Sequence, residues 1–371
     1  MRILIVAGGT GGHIYPAVAL VKEIKKKFPN AFVLWIGGRK KWERRIVERE
    51  KVQFKTINAP PFPRSFSPIS FLNFLFKMLL SFIQSLFYIL SFNPDIVVGM
   101  GSFHSLFPVF FAFLTGKPAV ICEQNICLSL TNRALLPFAS KVVLSFSCTK
   151  ARLSHRKRKK AVVTGNPVRE EVITTSKKKA IDNLQLEEGK FTLLFMGGSQ
   201  GARYLNRIAV EALCLLQQEE IGKSIQFILI SGQKDYQWVK ERLKKVKIRG
   251  KVFSYLSDIH NALAACDLVI SRSGATTISE ITARGIPCIL VPYPFATHQH
   301  QLKNARFLEK EGAAKVIVQE KLTPSFLKEE IKKMVEDEKM REKMREASRK
   351  LGNPEATGAL LSLIMELAGR R

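Results

Sequence analysis

Residues 8 to 13 read Gly-Gly-Thr-Gly-Gly-His and follow directly on the apolar run at 3–7. Glycines after a strand let backbone amides approach an anion at a helix N-terminus. Pro16 suits the first turn of the helix that must follow, because its missing N–H costs nothing there. The pattern is a phosphate-type turn but not a dinucleotide fingerprint. Counted from Gly9, G-x-G-x-x-G puts Ile14 at its last glycine. The next strand ends Trp35-Ile36-Gly37-Gly38, with no acid for a ribose hydroxyl. No Lys-Ser or Lys-Thr stands at Walker spacing either.

Similar turns recur. Gly197-Gly198-Ser199-Gln200-Gly201 follows the apolar run 191–196, and Gly99-Met100-Gly101-Ser102 ends another. A fourth element, Ser271 through Glu280, follows 268–270. Thr277-x-x-Glu280 has capping-box spacing, so Glu280 either caps a helix or, from one turn inside it, accepts both hydroxyls of a ribose. The amides of Gln301 and Asn304 suit sugar hydroxyls. His298 and His300 have no Cys or Glu at ligand spacing, so no metal site is read there. The chain contains no D-x-D element. A diphosphate is then expected to be neutralised by helix N-termini and basic residues such as Arg169, without metal or cofactor.

Short, near-continuously apolar runs at 3–7, 32–37, 54–58, 96–99, 119–123 and 142–145 alternate with helical patterns. The alternation restarts at 191–196, 227–230, 268–271, 289–291 and 315–317. Parallel strands buried on both faces read this way. The prediction is an α/β chain of two Rossmann-like domains with parallel sheets facing a central cleft. The expected divisions are 1–165, 166–345, and a helical tail, 346–371, returning to the first domain. The chain has 371 residues, a formal net charge of +28 and 46% hydrophobic residues. That composition excludes a disordered polybasic tail and suits an anionic partner. The six cysteines include no C-x-x-C pair and are expected as mostly buried free thiols. The opening MRILIVAGG is too short for a signal peptide, so a cytosolic protein is expected.

Residues 69–92, ISFLNFLFKMLLSFIQSLFYILSF, are long enough to span a bilayer. Ser70, Asn73, Lys77, Ser81, Gln84, Tyr88 and Ser91 form a narrow polar stripe on them. Two readings compete: a buried crossover helix between strands, or a helix whose surplus apolar surface docks on a membrane. A span would tear the sheet apart.

Taken together, these motifs resemble the MurG family of bacterial peptidoglycan glycosyltransferases over nearly the whole chain. The carriers are GGTGGHIYPA at 8–17, GMGS at 99–102, EQN at 123–125, TNR at 131–133, GNPVR at 165–169, GGSQGAR at 197–203, SRSGATTISE at 271–280 and HQLKNA at 300–305. The resemblance implies a GT-B fold. It also implies inverting transfer of N-acetylglucosamine from UDP-N-acetylglucosamine to the muramoyl 4-hydroxyl of lipid I, giving lipid II. Family donor contacts map onto Thr10, Gly11, Gly12, Asn125, Arg169, Ser199, Ile259, Ala275, Thr276, Thr277, Ile278, Ser279, Glu280 and Gln301, with Asn304 beside them. Acceptor contacts map onto Gly8, Gly9, Gly101 and Ser102. One departure is visible. Family members often carry Gly-Gly-Tyr in the second turn, where this chain has Ser102-Phe103-His104, and the downstream proline is displaced to Pro108.

Direct displacement at the anomeric carbon needs one base and stabilisation of charge on the diphosphate. His13, at the mouth of the first turn, is the expected base, since an ordinary histidine titrates near pH 6.5. Its alternative role is to order the turn. Glu123 is the second candidate, or it positions Asn125. The surplus charge beside the apolar segment 69–92 predicts a peripheral enzyme on the anionic cytoplasmic face of the inner membrane. No nucleic-acid partner is expected, because no recognised motif for one appears. Two other readings fit parts of the pattern: a glycosyltransferase acting on diacylglycerol, and a non-catalytic basic protein.

Overall fold

The computed structural model describes residues 1–60, 67–198 and 201–369. The chain divides into two compact units: residues 1–169 with the segment from 355 onward, and residues 170–354. The divisions expected at 165 and 345 therefore shift. The helix Glu338–Leu351 belongs to the second unit, where it packs on the helix Ala275–Arg284, so the returning segment is shorter than predicted.

The first unit is built on seven parallel strands: β1 (Arg2–Val6), β2 (Phe32–Gly37), β3 (Gln53–Thr56), β4 (Ile96–Gly99), β5 (Ala119–Glu123), β6 (Lys141–Leu144) and β7 (Ala161–Val163). Their order is β3-β2-β1-β4-β5-β6-β7. The central strands β1, β4 and β5 are buried almost throughout, which accounts for their unbroken apolar runs. Helix α1 (Gly11–Lys27) starts five residues earlier than Pro16 suggested. The glycines and His13 thus form its first turn, and Pro16 lies inside the helix. Ile14, Ala17, Val18 and Val21 of α1 share one core with Leu360, Leu361 and Ile364 of the final helix, Ala356–Gly369.

Helix α2 (Lys41–Arg49) follows β2, α3 (Pro68–Phe92) connects β3 to β4, and α4 (Leu106–Leu114) follows the second glycine turn. Helix α3 is a crossover, but it is not buried. The middle of its polar stripe faces inward: Ser81 is buried, as is Ser85 one turn on, Gln84 Oε1 accepts the Asn58 N–H at 3.0 Å, and Tyr88 lies against the Thr56 carbonyl, while Asn73, Lys77 and Ser91 stay exposed. These side chains satisfy backbone groups of the segment leaving β3. The apolar face is left outside, with Ile69, Leu72, Phe76, Leu79, Ile83, Phe87 and Leu90 each more than half exposed. Among the described residues, α3 is the one helix long and apolar enough to cross a bilayer.

The second unit holds six parallel strands: β8 (Phe191–Met196), β9 (Ile225–Ile230), β10 (Gly250–Phe253), β11 (Leu268–Ser271), β12 (Cys288–Leu290) and β13 (Lys315–Val316). Their order is β10-β9-β8-β11-β12-β13. Strands β7 and β10 lie outside the sequence expectation. The first is three residues long and the second sits at the sheet edge inside a basic run. All six cysteines are free thiols; Cys122, Cys266 and Cys288 are buried and the other three are half-buried.

Candidate functional site

Each sheet reverses its strand order once, between β1 and β4 in the first unit and between β8 and β11 in the second. Open parallel sheets bind ligands outside the carboxyl ends of the strands at such a point. All four glycine-containing turns fall there. Val6 pairs with Gly99, and Gly99 with Ile121, so the ends of β1, β4 and β5 stand side by side.

After β1, Gly9 takes φ +92° and Thr10 is the N-cap of α1 without a side-chain cap bond. His13 is half-buried in the first helical turn. Arg169, 8% exposed, lays its guanidinium over the Tyr15 ring, 4.7 Å from the centroid. A positive group and a helix N-terminus thus stand together in the first unit, as an anion requires.

After β4, Gly101 takes φ +82°, and a Cβ there would sit 2.7 Å from the Cys122 carbonyl oxygen. Only glycine fits this turn. Ser102 is buried beside it. The Ser102 hydroxyl, Gln124 Oε1 and Asn132 Oδ1 are buried without a protein partner among the described residues. His104 rests against the first turn, its ring 3.1 Å from where a Gly8 Cβ would stand. Burial, then the nearby His13 and Lys40, lowers its pKa to about 4, so it is neutral at pH 7.

Glu123, at the end of β5, is 2% exposed. Its Oε1 accepts the backbone N–H of Asn125 at 3.1 Å and the Asn125 side-chain amide at 3.2 Å. Its Oε2 accepts the Ser129 N–H at 2.7 Å and the Asn132 amide at 2.8 Å. Four donors meet the carboxylate, and together they shape the loop that carries Asn125.

In the second unit, Gly198 and Gly201 take φ +84° and +77°, and a side chain at Gly201 would collide with the Ser231 carbonyl. Ser199 lies outside the described residues. The helix Ala275–Arg284 has Gly274 as its N-cap. Thr277 is therefore its third residue rather than its cap, and the capping-box alternative for Glu280 falls. Glu280 is buried in the second turn. Thr276 and Ala275 are buried, Thr277 and Ser279 half-buried, and Ile278 is 1% exposed with its N–H given to the Gly274 carbonyl at 2.9 Å. Ser273 Oγ donates to the Gln301 carbonyl at 2.8 Å, and Gln301 Oε1 accepts the Tyr293 N–H at 3.0 Å. Asn304 Nδ2 points to the Ser273 carbonyl at 3.4 Å. These bonds gather Gln301 and Asn304 at the turn after β11. Ile259 opens the helix Ile259–Ala265 and is half-buried.

Arg272 was not singled out by its sequence. It is 6% exposed, donates to the Val291 and Pro292 carbonyls at 3.1 Å, and reaches Gln319 Oε1 at 2.6 Å. Burial lowers its pKa to about 10, which leaves it charged at neutral pH. Glu43 was missed as well. It is a single acid in a basic stretch, and only the fold shows that it reaches the first glycine turn.

Two parallel α/β units with glycine turns at the reversal points define the GT-B fold class. Residues 3–144 match the glycosyltransferase family 28 N-terminal domain, and residues 192–359 match its C-terminal domain. A UDP-N-acetylglucosamine–N-acetylmuramyl-(pentapeptide) pyrophosphoryl-undecaprenol N-acetylglucosamine transferase from Halothermothrix orenii is 40% identical, with 99% of each chain covered. One of the same name from Bacillus pumilus is 36% identical, again with 99% of each chain covered. The crystal structure of MurG from Acinetobacter baumannii superposes with a TM-score of 0.74 at 25% identity, covering 99% of this chain and 100% of that one. The chain belongs to this MurG family of N-acetylglucosamine transferases.

Proposed function

We propose that the protein transfers N-acetylglucosamine from UDP-N-acetylglucosamine to the muramoyl 4-hydroxyl of lipid I, giving lipid II with inversion at the anomeric carbon. The observation that carries this reading is the placement of the family's motifs. Turns matching the family's sequence stand at the strand ends flanking the reversal point of each sheet.

In the first unit, the turns at Gly8–Gly9 and Gly101–Ser102 receive the acceptor, and His13 removes the proton from its hydroxyl. Glu123 positions Asn125, because its oxygens are already engaged by four donors. Thr10, Gly11, Gly12, Asn125 and Arg169 serve the donor from this unit. In the second unit, Ser199, Ile259, the stretch Ala275–Thr276–Thr277–Ile278–Ser279–Glu280, Gln301 and Asn304 hold UDP-N-acetylglucosamine, with Glu280 on the ribose. Attack at the anomeric carbon forms the new glycosidic bond as the bond to UDP breaks. The diphosphate keeps the electron pair and is stabilised by the helix N-terminus and Arg169.

The exposed face of α3, extended by Phe113 and Leu114 of α4, seats the protein on the anionic cytoplasmic leaflet, where lipid I is reached. The excess of 28 positive charges favours that surface over a neutral one. The experiment is UDP release from UDP-N-acetylglucosamine with a soluble lipid I analogue, run against diacylglycerol. Turnover with the analogue alone is expected. Turnover with diacylglycerol instead would overturn the acceptor assignment.

A further inference from the structure

We infer that Glu43 and Lys40, flanking the start of α2, are positioning residues that hold the first glycine turn in its anion-binding shape. This rests on the reading of that turn as the acceptor's diphosphate seat. Glu43 Oε1 accepts the Gly9 N–H at 3.0 Å, and Oε2 accepts the Gly38 N–H at 2.9 Å. Lys40 Nζ donates to the Gly9 carbonyl at 3.1 Å. Both polar backbone groups of Gly9 are thus held from α2.

The turn needs such a hold. Gly9 at φ +92° occupies a region that glycine enters at no steric cost and leaves as readily. Nothing about its own side chain fixes it. Glu43 is 1% exposed, and a carboxylate that deep is tolerated only where donors meet it. The surrounding glycines make the room. A Cβ at Gly38 would lie 2.8 Å from Glu43 Oε2, and one at Gly8 would lie 2.8 Å from the Gly38 nitrogen. The glycine pair closing β2 therefore has a use that the sequence did not show. Where a dinucleotide fold places an acid on the ligand's ribose, this chain turns an acid inward onto its own turn.

The arrangement has a directional consequence. Gly9, held by both its backbone groups, stands four residues before His13 in the turn that receives the acceptor. Holding Gly9 fixes where the diphosphate sits relative to that histidine. The donor contacts in the second unit do not depend on it.

The test uses the full-length enzyme and its Glu43→Gln and Lys40→Met variants. Glutamine keeps one acceptor oxygen but turns an NH2 against a backbone N–H. Its KM for a soluble lipid I analogue should rise at least about tenfold, the size of one lost charge-assisted hydrogen bond. UDP affinity by calorimetry should stay within about twofold, a split that general unfolding would not produce. Lys40→Met removes an exposed side chain, keeps the fold and should move acceptor KM in the same direction by less. Hydrogen–deuterium exchange over residues 8–13 should rise in both variants. Unchanged acceptor KM with unchanged exchange overturns the inference, as does an equal loss of UDP affinity. If the wild-type enzyme does not use the lipid I analogue, the acceptor reading fails by itself. The exchange measurement then decides the clamp: faster exchange confined to residues 8–13 upholds it, and unchanged protection removes it.

Discussion

Glu123 Oε2 accepts the side-chain amide of Asn132 at 2.8 Å, and the other donors to this carboxylate come from Asn125 and Ser129. A general base must offer a free lone pair to its proton, and this group would have to surrender a bond to do so. His13→Ala is therefore expected to lose at least about two orders of magnitude in turnover. Glu123→Gln places an amide NH2 against existing donors and should cost about 1–3 kcal/mol of stability, while keeping the shape of the pH–rate profile. Profiles of kcat against pH for both variants separate the roles. A Glu123→Gln protein as stable as wild type but without the pH dependence would return the base role to Glu123.

His104 gives the first unit an acid-sensitive point. Burial, with His13 and Lys40 nearby, lowers its pKa from 6.5 to about 4. Between those values the unfolded chain binds a proton that the folded chain refuses. Stability is then intact at neutral pH and declines as pH falls from about 6.5 to about 4. The full loss is at most about 3.5 kcal/mol, at roughly 1.4 kcal/mol per pH unit. Urea unfolding at pH 7 and pH 4.5 should show a larger drop in midpoint for wild type than for His104→Asn. Equal drops in the two proteins would exclude His104 as the source.

The parts of the fold that could be read ahead were those whose local pattern decides them. The strands β1, β4, β8 and β11 are apolar on both faces and run into glycine, so their ends and turns were plain. The start of α1 was misplaced because Pro16 favours a first turn, yet the helix tolerates it deeper, behind two glycines. The stripe on α3 was visible, but not its direction. Which face turns inward depends on the backbone groups at Thr56 and Asn58 that Tyr88 and Gln84 meet, and those lie far off in sequence. Glu43 looked like one solvated acid among bases for the same reason: its partners, Gly9 and Gly38, are brought to it by the pairing of β1 with β2. Arg272 stood in a quoted motif, and its ring of carbonyl acceptors forms only when β12 pairs with β11.

Glu280 is buried in the second turn of the helix Ala275–Arg284, whose N-cap is Gly274. Removing its carboxylate does not remove a cap. Glu280→Ala should therefore fold, raise the KM for UDP-N-acetylglucosamine and weaken UDP binding at least about tenfold, as expected for a lost charge-assisted hydrogen bond. The KM for a soluble lipid I analogue should hold. Calorimetry with UDP checks this directly, and an unchanged affinity would remove the ribose from Glu280.

The outward face of α3 makes a prediction that does not involve the chemistry. Leu79 and Ile83 lie one helical turn apart and are both more than half exposed, on the side away from Ser81 and Ser85. Burying one such side chain in the acyl boundary is worth about 1.5–3 kcal/mol, so Leu79→Glu or Ile83→Glu should weaken vesicle binding by at least about tenfold. Turnover of a soluble lipid I analogue should be retained, because neither side chain packs in the core beneath the turns. Lys77→Glu should lower affinity for vesicles rich in phosphatidylglycerol and leave neutral vesicles unaffected, and added salt should mimic it. Co-sedimentation at two salt concentrations measures all of these. If binding proves indifferent to lipid charge, the apolar face alone seats the protein and the 28 excess positive charges are a solvated surface.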